Sequence, residues 1–510
     1  MTVHVTVQRA LEISCARHSR RVAVRCGGRE LTYQQLDERA NRLANGLIGL
    51  GLQRGDRVGA MLPNCEDYIV FALACAKAVL CMVPVNYRFT GAEAGSQLQD
   101  SGARAFIHDA SFEAQLGTGA WRSDMIQICR GGPHAGGSLE TLMEAASPGS
   151  PSMEAVEGDA FYLGYTSGTT GKPKGAIITQ RNRALAYHYW ALEFGIRPDD
   201  IALHCGPFHH TAPFTFVLTQ LFMGGTVVIL DAFNGEAALK AISRYGVTWA
   251  FTVPFMLDRL LEARRSSESG SVDSLRMLIS GASTLPTRTK RAILSEFPNA
   301  SLHEFYGATE AGVITNLRPE DQREKLRSVG QPVADIRIEI RDDEGRPCGT
   351  GHTGHIWLNG PTLLEGYYGD PDKTREVKQG EWCLLGDVGW LDEEGFLYLV
   401  DRSKDVIKSG GVNVYPIEIE EVILQVEDVL ECAVVGMADE RWGESVQAFL
   451  VVRDPEGDVE ARVRAVCARE LAGYKCPKKY HFIESLPRNA NGKVLKRVLR
   501  ARGAELFNQA

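Results

Sequence analysis

Residues 165–175, YTSGTTGKPKG, concentrate the side chains that bind phosphate. The last ten positions hold four hydroxyls, three glycines and two lysines. Glycines let backbone N–H groups approach phosphate oxygens, while hydroxyls add donors and lysines add charge. Two residues separate Gly168 from Gly171, and Pro173 follows Lys172, so the segment differs from the usual nucleotide P-loop. A flexible linker is the alternative, but linkers rarely lie between apolar strands with paired lysines, and we predict a phosphate-binding loop.

Four distant segments could complete a nucleotide site. Residues 305–310, FYGATE, place an aromatic ring near a hydroxyl and a carboxylate that could hold Mg²⁺. Residues 385–387, LGD, place a carboxylate, Asp387, where a loop could hold ribose hydroxyls, and residues 401–411 concentrate charge. Lys493 lies at a glycine-marked turn near the C-terminus. Taken singly, each has a plain alternative as a surface carboxylate, a turn residue or a solvated cation.

Together these segments resemble the adenylate-forming superfamily, which includes acyl- and aryl-CoA synthetases, firefly-type luciferases and the adenylation domains of peptide synthetases. The resemblance covers essentially the whole chain in order, and the loop and residues 401–420, DRSKDVIKSGGVNVYPIEIE, are its most specific parts. It implies an acid–thiol ligase of the AMP-forming acyl-CoA synthetase type. In such an enzyme a carboxylate attacks the α-phosphate of ATP, and a thiol then displaces AMP from the mixed anhydride.

The resemblance also implies a role for each matching residue. The pyrophosphate end of ATP would lie against Thr166, Ser167, Gly168, Thr169, Thr170, Gly171 and Lys174, the adenine against Gly281, Ala282, Tyr306 and Gly307, the ribose against Asp387, and a ribose or phosphate oxygen against Arg402. Thr309 and Glu310 match the α-phosphate and Mg²⁺ positions, and Lys493 matches the lysine that catalyses adenylation. These cations matter because both reactants are anions, and a preorganised positive charge stabilises the transition state.

The second step would use another face of the same small domain. Lys404 matches the hinge position, and rotation about it would present Lys408 with Gly410 and Gly411, whose missing side chains leave room for the pantetheine arm of coenzyme A. Residues 207–211, PFHHT, match the family's histidine motif, and His210 is the better-aligned residue. There it would gate the carboxylate or thioester tunnel, and a structural histidine is the alternative.

The elements that must position these residues alternate between helices and strands. Thr32 is expected to cap a helix that ends at Gly51. The apolar run 68–85 contains Lys77 and falls short of the ~20 residues that span a bilayer, so it predicts a buried helix. Strand-like runs lie at 57–61, 105–108, 226–230, 247–253 and 277–280. This alternation predicts an α/β fold of helix-covered sheets.

The pattern changes near residue 400. A hairpin is predicted over 388–400, followed by a helix that opens at Pro416, strands at 430–435 and 446–452, and a helix over 459–470. Because hydrophobic cores stop growing near about 250–300 residues, a chain of 510 residues needs at least two folded units. We predict a large N-terminal domain over 1–402 and a small, mobile α+β domain over 403–510.

Composition and charge narrow the function classes. The chain is 44% apolar and 24% charged with a net charge of −8, which is ordinary for a globular enzyme and disfavours a general nucleic-acid or membrane-surface binder. The N-terminus lacks a secretory pattern. The twelve scattered cysteines favour reduced thiols and a cytoplasmic location. Residues 475–502 hold nine Lys or Arg and one acidic residue, so a nucleic-acid-binding tail is a rival reading.

The substrate is less sharply defined. No acid follows His210 where peptide-synthetase domains hold an amino group, so a hydrophobic acid (fatty, aryl or polycyclic) is expected, in a pocket that takes in His210, Phe214 and Val313. Leu385 replaces the hydroxyl that usually precedes the Gly386–Asp387 pair. Free coenzyme A is the expected thiol, and a separate carrier protein is the alternative. A stand-alone adenylation enzyme, a non-catalytic nucleotide-binding protein, and a monomer or homodimer all stay open.

Overall fold

The computed structural model describes residues 4–117, 122, 124–132, 137–166, 173–266, 270–402, 405–409, 412–439, 442–454, 457–488 and 494–507. Its helices are α1 Val7–Arg17, α2 Tyr33–Gly49, α3 Glu66–Lys77, α4 Gly91–Asp100, α5 Glu113–Leu116, α6 Leu139–Ala145, α7 Gln180–Glu193, α8 Thr211–Met223, α9 Gly235–Tyr245, α10 Pro254–Ser266, α11 Thr287–Glu296, α12 Pro371–Val377, α13 Pro416–Ile423, α14 Val459–Glu470 and α15 Lys496–Phe507. Short 3₁₀ turns lie at Ala110–Phe112 and Pro319–Asp321.

The strands alternate with these helices over most of the chain. They are β1 Val22–Cys26, β2 Arg29–Thr32, β3 Arg57–Met61, β4 Cys81–Pro84, β5 Ala105–Asp109, β6 Ile126–Arg130, β7 Ala160–Thr166, β8 Lys174–Thr179, β9 Ile201–His204, β10 Thr226–Ile229, β11 Trp249–Thr252, β12 Met277–Ser280, β13 Ser301–Ala308, β14 Gly312–Leu317, β15 Gln331–Pro332, β16 Arg337–Arg341, β17 Gly354–Asn359, β18 Gly366–Tyr367, β19 Lys378–Gln379, β20 Trp382–Leu391, β21 Leu397–Arg402, β22 Ile407–Ser409, β23 Val412–Val414, β24 Val429–Asp439, β25 Gly443–Val452 and β26 Lys479–Phe482.

Three sheets form the large part of the molecule. A nine-stranded sheet runs in the order β15-β14-β13-β12-β11-β9-β10-β1-β2, and a seven-stranded sheet in the order β18-β8-β7-β4-β3-β5-β6. A five-stranded sheet carries β16-β17-β20-β19, with β21 on β20. The inner strands of the two larger sheets pair in parallel and helices connect them, so the predicted α/β fold is confirmed.

The helix predicted after Thr32 shows why local signals worked well. The Thr32 side chain accepts a hydrogen bond from the Gln35 backbone N–H, and the Gln35 side-chain oxygen accepts one from the Thr32 backbone N–H, a capping box that satisfies two free donors. The helix then runs to Gly49. Gly51 follows at φ 88°, in the left-handed region that stops a helix at little cost to glycine. The predicted start and end are both confirmed.

The apolar run 68–85 is not one helix, and that prediction was wrong. Helix α3 ends at Lys77, and β4 begins four residues later. Val79 turns the chain at φ 53° between them. The run reads as continuous because α3 is buried on all sides and β4 lies inside its sheet between β3 and β7. Periodicity cannot separate a fully buried helix from a fully buried strand.

The small C-terminal part has its own sheet and core. Strands β23-β22-β25-β24 form it, with β26 on β25. Its core includes Ile407, Ile419, Val434, Leu450 and Val463. This core is separate from the large clusters of the N-terminal part, as the length of the chain predicted. The predicted hairpin before it is confirmed as β20 and β21, which pair antiparallel.

A few polar contacts join the two parts across α11. The Arg288 guanidinium donates to the carbonyl oxygens of Val429 at 2.8 Å and Leu430 at 3.0 Å. The Thr287 hydroxyl donates to Glu421 at 3.3 Å. All twelve cysteines are unpaired. Among the described helices, none has the length and apolar character needed to cross a bilayer.

Candidate active site

Three of the predicted site residues come together between the two large sheets. Thr166 ends β7, and Thr309 and Glu310 form the turn between β13 and β14. Gly164 lies opposite this turn, where a Cβ atom would come within 2.5 Å of Thr309 Cγ2. Only a glycine lets the strand that leads into the loop approach the turn so closely.

The Glu310 carboxylate is held in place by hydrogen bonds from two hydroxyls. The hydroxyls of Thr166 and Tyr367 donate to its Oε1 at 3.2 Å and 3.0 Å. Its backbone carbonyl accepts a hydrogen bond from Leu364 N–H at 2.7 Å, which fixes the turn. A carboxylate oriented by two hydroxyls beside a phosphate loop suits a hard divalent cation bound with phosphate oxygens.

A second cluster joins three hydroxyls next to that carboxylate. Thr211, at the first turn of α8, donates to Thr309 Oγ1 at 3.3 Å, and its Oγ1 lies 3.0 Å from the Tyr162 hydroxyl. Tyr162 is 3% exposed and Thr309 is half-buried. These hydroxyls present donors at a partly dry position, where a developing negative charge is stabilised most strongly.

The predicted adenine and ribose residues also lie together. The Tyr306 hydroxyl donates to Asp387 Oδ2 at 2.6 Å, which links β13 to β20. Gly281 follows β12, and a Cβ atom there would meet the Phe305 ring at 2.4 Å. Ala282 adopts φ 69°, a left-handed conformation that costs a non-glycine residue about 1–2 kcal/mol. Backbone strain of this kind often marks a ligand site.

Of the two lysines of the predicted phosphate loop, Lys174 is the one that lies among the described residues. It opens β8, and its Nζ lies 5.9 Å from the centre of the Tyr367 ring. Desolvation lowers the pKa of Lys174, and the charge of Lys373 lowers it further. The other loop residues, Ser167, Gly168, Thr169, Thr170 and Gly171, lie outside the described residues.

Two adjacent histidines stand at the N-terminus of α8. His210 is its N-cap residue, and the His209 and His210 rings lie 4.2 Å apart. Burial and the charge of Arg88 lower the pKa of His210 to about 4, so its imidazole is neutral at physiological pH. Both ring nitrogens of His209 are buried without a hydrogen-bond partner in the described part of the chain. A ligand or water could therefore bond to His209, which the sequence argument passed over.

The predicted residues near and beyond the end of β21 are only partly among the described residues. Lys408 is exposed on β22, and its backbone N–H donates to Glu444 at 2.6 Å. Arg402 ends β21 in register with Asp387. A β-bridge joins Arg488 to Val494 on either side of the segment that holds Lys493. Lys404, Gly410, Gly411 and Lys493 lie outside the described residues.

Three members of these clusters were missed by the sequence argument. Tyr367, Tyr162 and Thr211 come from β18, β7 and α8. Tyr367 lies far from any motif in the sequence. Thr211 is a partial exception because it belongs to the histidine segment, where a hydroxyl beside two histidines is a usable signal.

Comparison with known proteins gives the same picture over nearly the whole chain. The family model for AMP-binding enzymes matches residues 11–368, and the model for their C-terminal domain matches residues 418–493. The chain is 35% identical over 486 residues to a feruloyl-CoA synthase of Amycolatopsis, covering 94% of this chain and 95% of that protein. It is 33% identical over 488 residues to a fatty acid–[acyl-carrier-protein] ligase of Streptomyces coeruleorubidus, covering 94% and 93%.

A solved structure extends the likeness to three dimensions. The o-succinylbenzoate CoA synthetase of Bacillus subtilis, in complex with its acyl-adenylate intermediate, is 31% identical and superimposes with a TM-score of 0.86. The match covers 96% of this chain and 97% of that one.

Proposed function

The chain belongs to the family of AMP-binding enzymes and is an AMP-forming acid–thiol ligase, and we propose that its thiol is that of coenzyme A and that Mg²⁺ accompanies ATP. The reaction joins a carboxylic acid to AMP with release of pyrophosphate, and the acyl group then passes to sulfur. In the free acid the leaving group would be an oxide, whereas in the acyl-adenylate it is the phosphate of AMP, which leaves readily. The observation that carries the proposal is Glu310, held by Thr166 and Tyr367 where the phosphate loop meets the β13–β14 turn.

The donor set around Glu310 fits a magnesium ion. Oxygen atoms are the ligands that Mg²⁺ prefers, and it usually binds through one or two carboxylates together with substrate phosphates. When bound there, the ion would supply positive charge to the phosphate oxygens. Thr166 and Tyr367 orient the carboxylate, and Lys174 adds a fixed cation nearby.

The two steps are assigned to two faces of the small domain, which we place at residues 403–510, with residues 1–402 as the large domain. Lys493 would meet the anionic reactants during adenylation. Rotation near Lys404 would then bring Lys408, Gly410 and Gly411 to the same centre for thioester formation. The few polar contacts of α11 with the small domain support such a rotation because little has to be broken.

The acid is proposed to be compact and largely aromatic rather than long-chain. Phe305 packs at Gly281, and the rings of Phe216, Phe251 and Phe305 lie 5.3–6.1 Å from one another. A Cβ atom on Gly312 would meet Trp190 at 3.1 Å. These large rings occupy the space next to Gly281, one of the predicted adenine residues, and would limit the length of an acid that binds there. The aryl substrates in the names of two of the proteins compared above are of this class.

The rival readings find less support. The basic C-terminal segment pairs its cations within the domain, with Lys496 at 3.0 Å from Glu420 and Arg500 at 2.9 Å from Asp405. That pairing disfavours a nucleic-acid role. A carrier-protein thiol stays the second candidate because one relative bears that specificity in its name. The twelve unpaired cysteines favour action in a reducing compartment such as the cytoplasm.

The test is product analysis with the full chain, ATP, Mg²⁺ and a panel of benzoate, ferulate, 2-succinylbenzoate, hexanoate and palmitate, with and without coenzyme A. AMP and pyrophosphate should appear with at least one aryl acid, and coenzyme A should raise turnover. If pyrophosphate forms in a single burst and turnover continues only when a phosphopantetheinyl carrier protein is added, the carrier protein supplies the thiol. Absence of pyrophosphate with every acid would favour a non-catalytic nucleotide-binding protein.

A further inference from the structure

Three side chains with different ligand atoms meet at the edge of the seven-stranded sheet. His108 and Cys129 are Cα partners on the parallel strands β5 and β6, so their side chains lie on the same face. Strand β6 is the last in the order of this sheet, and Glu113 begins α5, which follows β5 after a 3₁₀ turn. The elements β5, α5 and β6 therefore bring an imidazole, a carboxylate and a thiol to one place, and we call these residues the β5–β6 trio.

The ligand atoms of the β5–β6 trio are separated by distances close to those in a zinc centre. A His108 ring nitrogen, the Cys129 Sγ and a Glu113 carboxylate oxygen all lie within 4.8 Å of one another. Glu113 Oε1 accepts a hydrogen bond from the Cys129 thiol at 3.4 Å and lies 3.8 Å from His108 Nε2. Ligand atoms of a tetrahedral zinc ion are about 3.3–3.6 Å apart. The two distances to Glu113 therefore need almost no adjustment.

Burial leaves the β5–β6 trio one route to solvent. His108 is 2% exposed and Cys129 is fully buried, whereas the Glu113 side chain is 48% exposed. A single ion can enter beside the mobile carboxylate, and no cavity for a larger ligand is required. The open side at Glu113 also admits a water molecule as the fourth ligand, an arrangement that zinc adopts with three protein ligands.

The charges around the β5–β6 trio also favour a divalent cation. Among the described residues, no Lys or Arg forms an ion pair with Glu113. Arg130, the neighbour of Cys129, is paired with other carboxylates. One thiolate and one carboxylate carry the two negative charges that neutralise a divalent ion, and a buried ion needs such compensation.

The donor set distinguishes this group from the cluster at Glu310. Thiolate and imidazole ligands suit zinc, whereas Mg²⁺ prefers oxygen atoms and retains waters. The donors on Glu310 are hydroxyls of Thr166 and Tyr367, so oxygen atoms alone surround that carboxylate among the hydrogen bonds described above. The two places therefore differ in the kind of metal ion that they can hold.

We propose that His108, Glu113 and Cys129 bind one zinc ion, which joins β5, α5 and the edge strand β6. On binding, the Cys129 thiol loses its proton to solvent, because a thiol that coordinates a metal ion is deprotonated. Bonds from the ion to sulfur and to oxygen then replace the hydrogen bond between these groups. The unfolded chain has no preformed site, so the binding free energy adds to the stability of the fold. The inference is independent of the ligase function.

The test is a titration of the full chain with Co²⁺ after chelation and desalting have removed bound metal. Cobalt serves as the probe because, unlike zinc, its complexes absorb light. One equivalent should produce a thiolate-to-cobalt band in the near ultraviolet together with the visible bands of tetrahedral cobalt. Zn²⁺ should remove both sets of bands, and excess Mg²⁺ should remove neither. Zn²⁺ alone should raise the melting temperature of the wild-type chain.

Three variants assign the bands to the β5–β6 trio. Cys129→Ser should abolish the thiolate-to-cobalt band and the rise in melting temperature. Glu113→Gln changes an exposed side chain and should weaken Co²⁺ binding at least about tenfold, since even changes outside the ligand shell cost 10–100-fold. Cys476→Ser removes a partly exposed thiol of the C-terminal part and is the matched control, which should change neither readout.

Each other outcome contradicts the zinc site. No band from the wild-type chain in excess Co²⁺ would overturn it. A band of unchanged size in Cys129→Ser would show adventitious binding at another cysteine and would also overturn it. If Cys129→Ser does not fold, Glu113→Gln decides, and an unchanged Co²⁺ affinity in that variant would refute the site. Pyrophosphate exchange tests the ligase function separately, so failure of one does not imply failure of the other.

Discussion

The Glu310 cluster of the large domain and the Lys408 strand of the small domain are built in opposite ways. Glu310 is half-buried and held by two hydroxyls from different strands, and the hydroxyls around Thr309 form a network beside it. Lys408 is exposed on a three-residue strand. The first region is preorganised, which suits a step whose rate depends on fixed charges. The second is suited to being carried to a centre that already exists.

Of the variants proposed, Lys493→Ala should produce the largest difference between the rates of the two half-reactions. Loss of one preorganised donor or cation typically lowers kcat by on the order of 10²–10³, and here that loss should fall on adenylate formation. Conversion of a supplied acyl-adenylate to thioester should keep its rate, since that step uses the other face. Rapid-quench assays of each half-reaction measure both, and equal losses would refute the assignment of two faces.

Glu310→Gln should reduce adenylation by about 10²-fold, because a neutral amide cannot hold a divalent cation beside the phosphates. The Mg²⁺ concentration for half-maximal pyrophosphate exchange should rise as well. Tyr367→Phe removes one of the two hydroxyls on the carboxylate and should cost less. Glu324→Gln, an exposed carboxylate, is the matched control. An unchanged Mg²⁺ dependence in Glu310→Gln would place the ion elsewhere.

Lys404→Pro tests the connection between the regions. A proline fixes φ and limits rotation, so thioester formation should slow by about tenfold while adenylation changes less. Single-turnover rates of the two steps give the ratio. A ratio equal to that of the wild-type chain would show that the hinge lies at another residue.

The pKa of His210 makes a prediction about pH. With its pKa lowered to about 4 by burial and the charge of Arg88, the imidazole is neutral from pH 6 to 9. The effect of His210→Asn on adenylation should therefore be the same across that range. As pH falls from about 6.5 to about 4, the unfolded histidine takes up a proton that the folded one does not, so folding stability falls. His210→Asn should lessen that fall in melting temperature, and exposed His352→Asn should not.

The smallest effect is expected at the contact between the two domains. Arg288→Ala removes two hydrogen bonds to the carbonyls of Val429 and Leu430. At about 0.5–1.5 kcal/mol each, their loss should shift the balance of domain orientations and change the ratio of half-reaction rates severalfold. Arg291→Ala, exposed on the same helix, should leave the ratio unchanged. If Arg288→Ala also leaves it unchanged, these contacts do not limit rotation.

Local chemistry decided which features were predictable from sequence. The Thr32 cap and the alternating strands each depend on neighbouring residues, and each lies where it was predicted. Tyr367 reaches the site from a strand far from every motif in the sequence, so spacing could not reveal it. Tyr162 lies only four residues before Thr166 on β7, but its contact with Thr211 of α8 depends on packing that the sequence does not show. The buried run at α3 and β4 was misread because burial on all sides removes periodicity.

The central claim is tested most directly by a single turnover of Lys408→Ala with ATP, acid and coenzyme A all present. Acyl-adenylate and thioester are measured together over that turnover. If the preorganised region forms the adenylate and the Lys408 face completes the reaction, acyl-adenylate should form at the wild-type rate and accumulate while thioester formation lags. A parallel fall in both products would contradict the account, because the two regions would then act as one site.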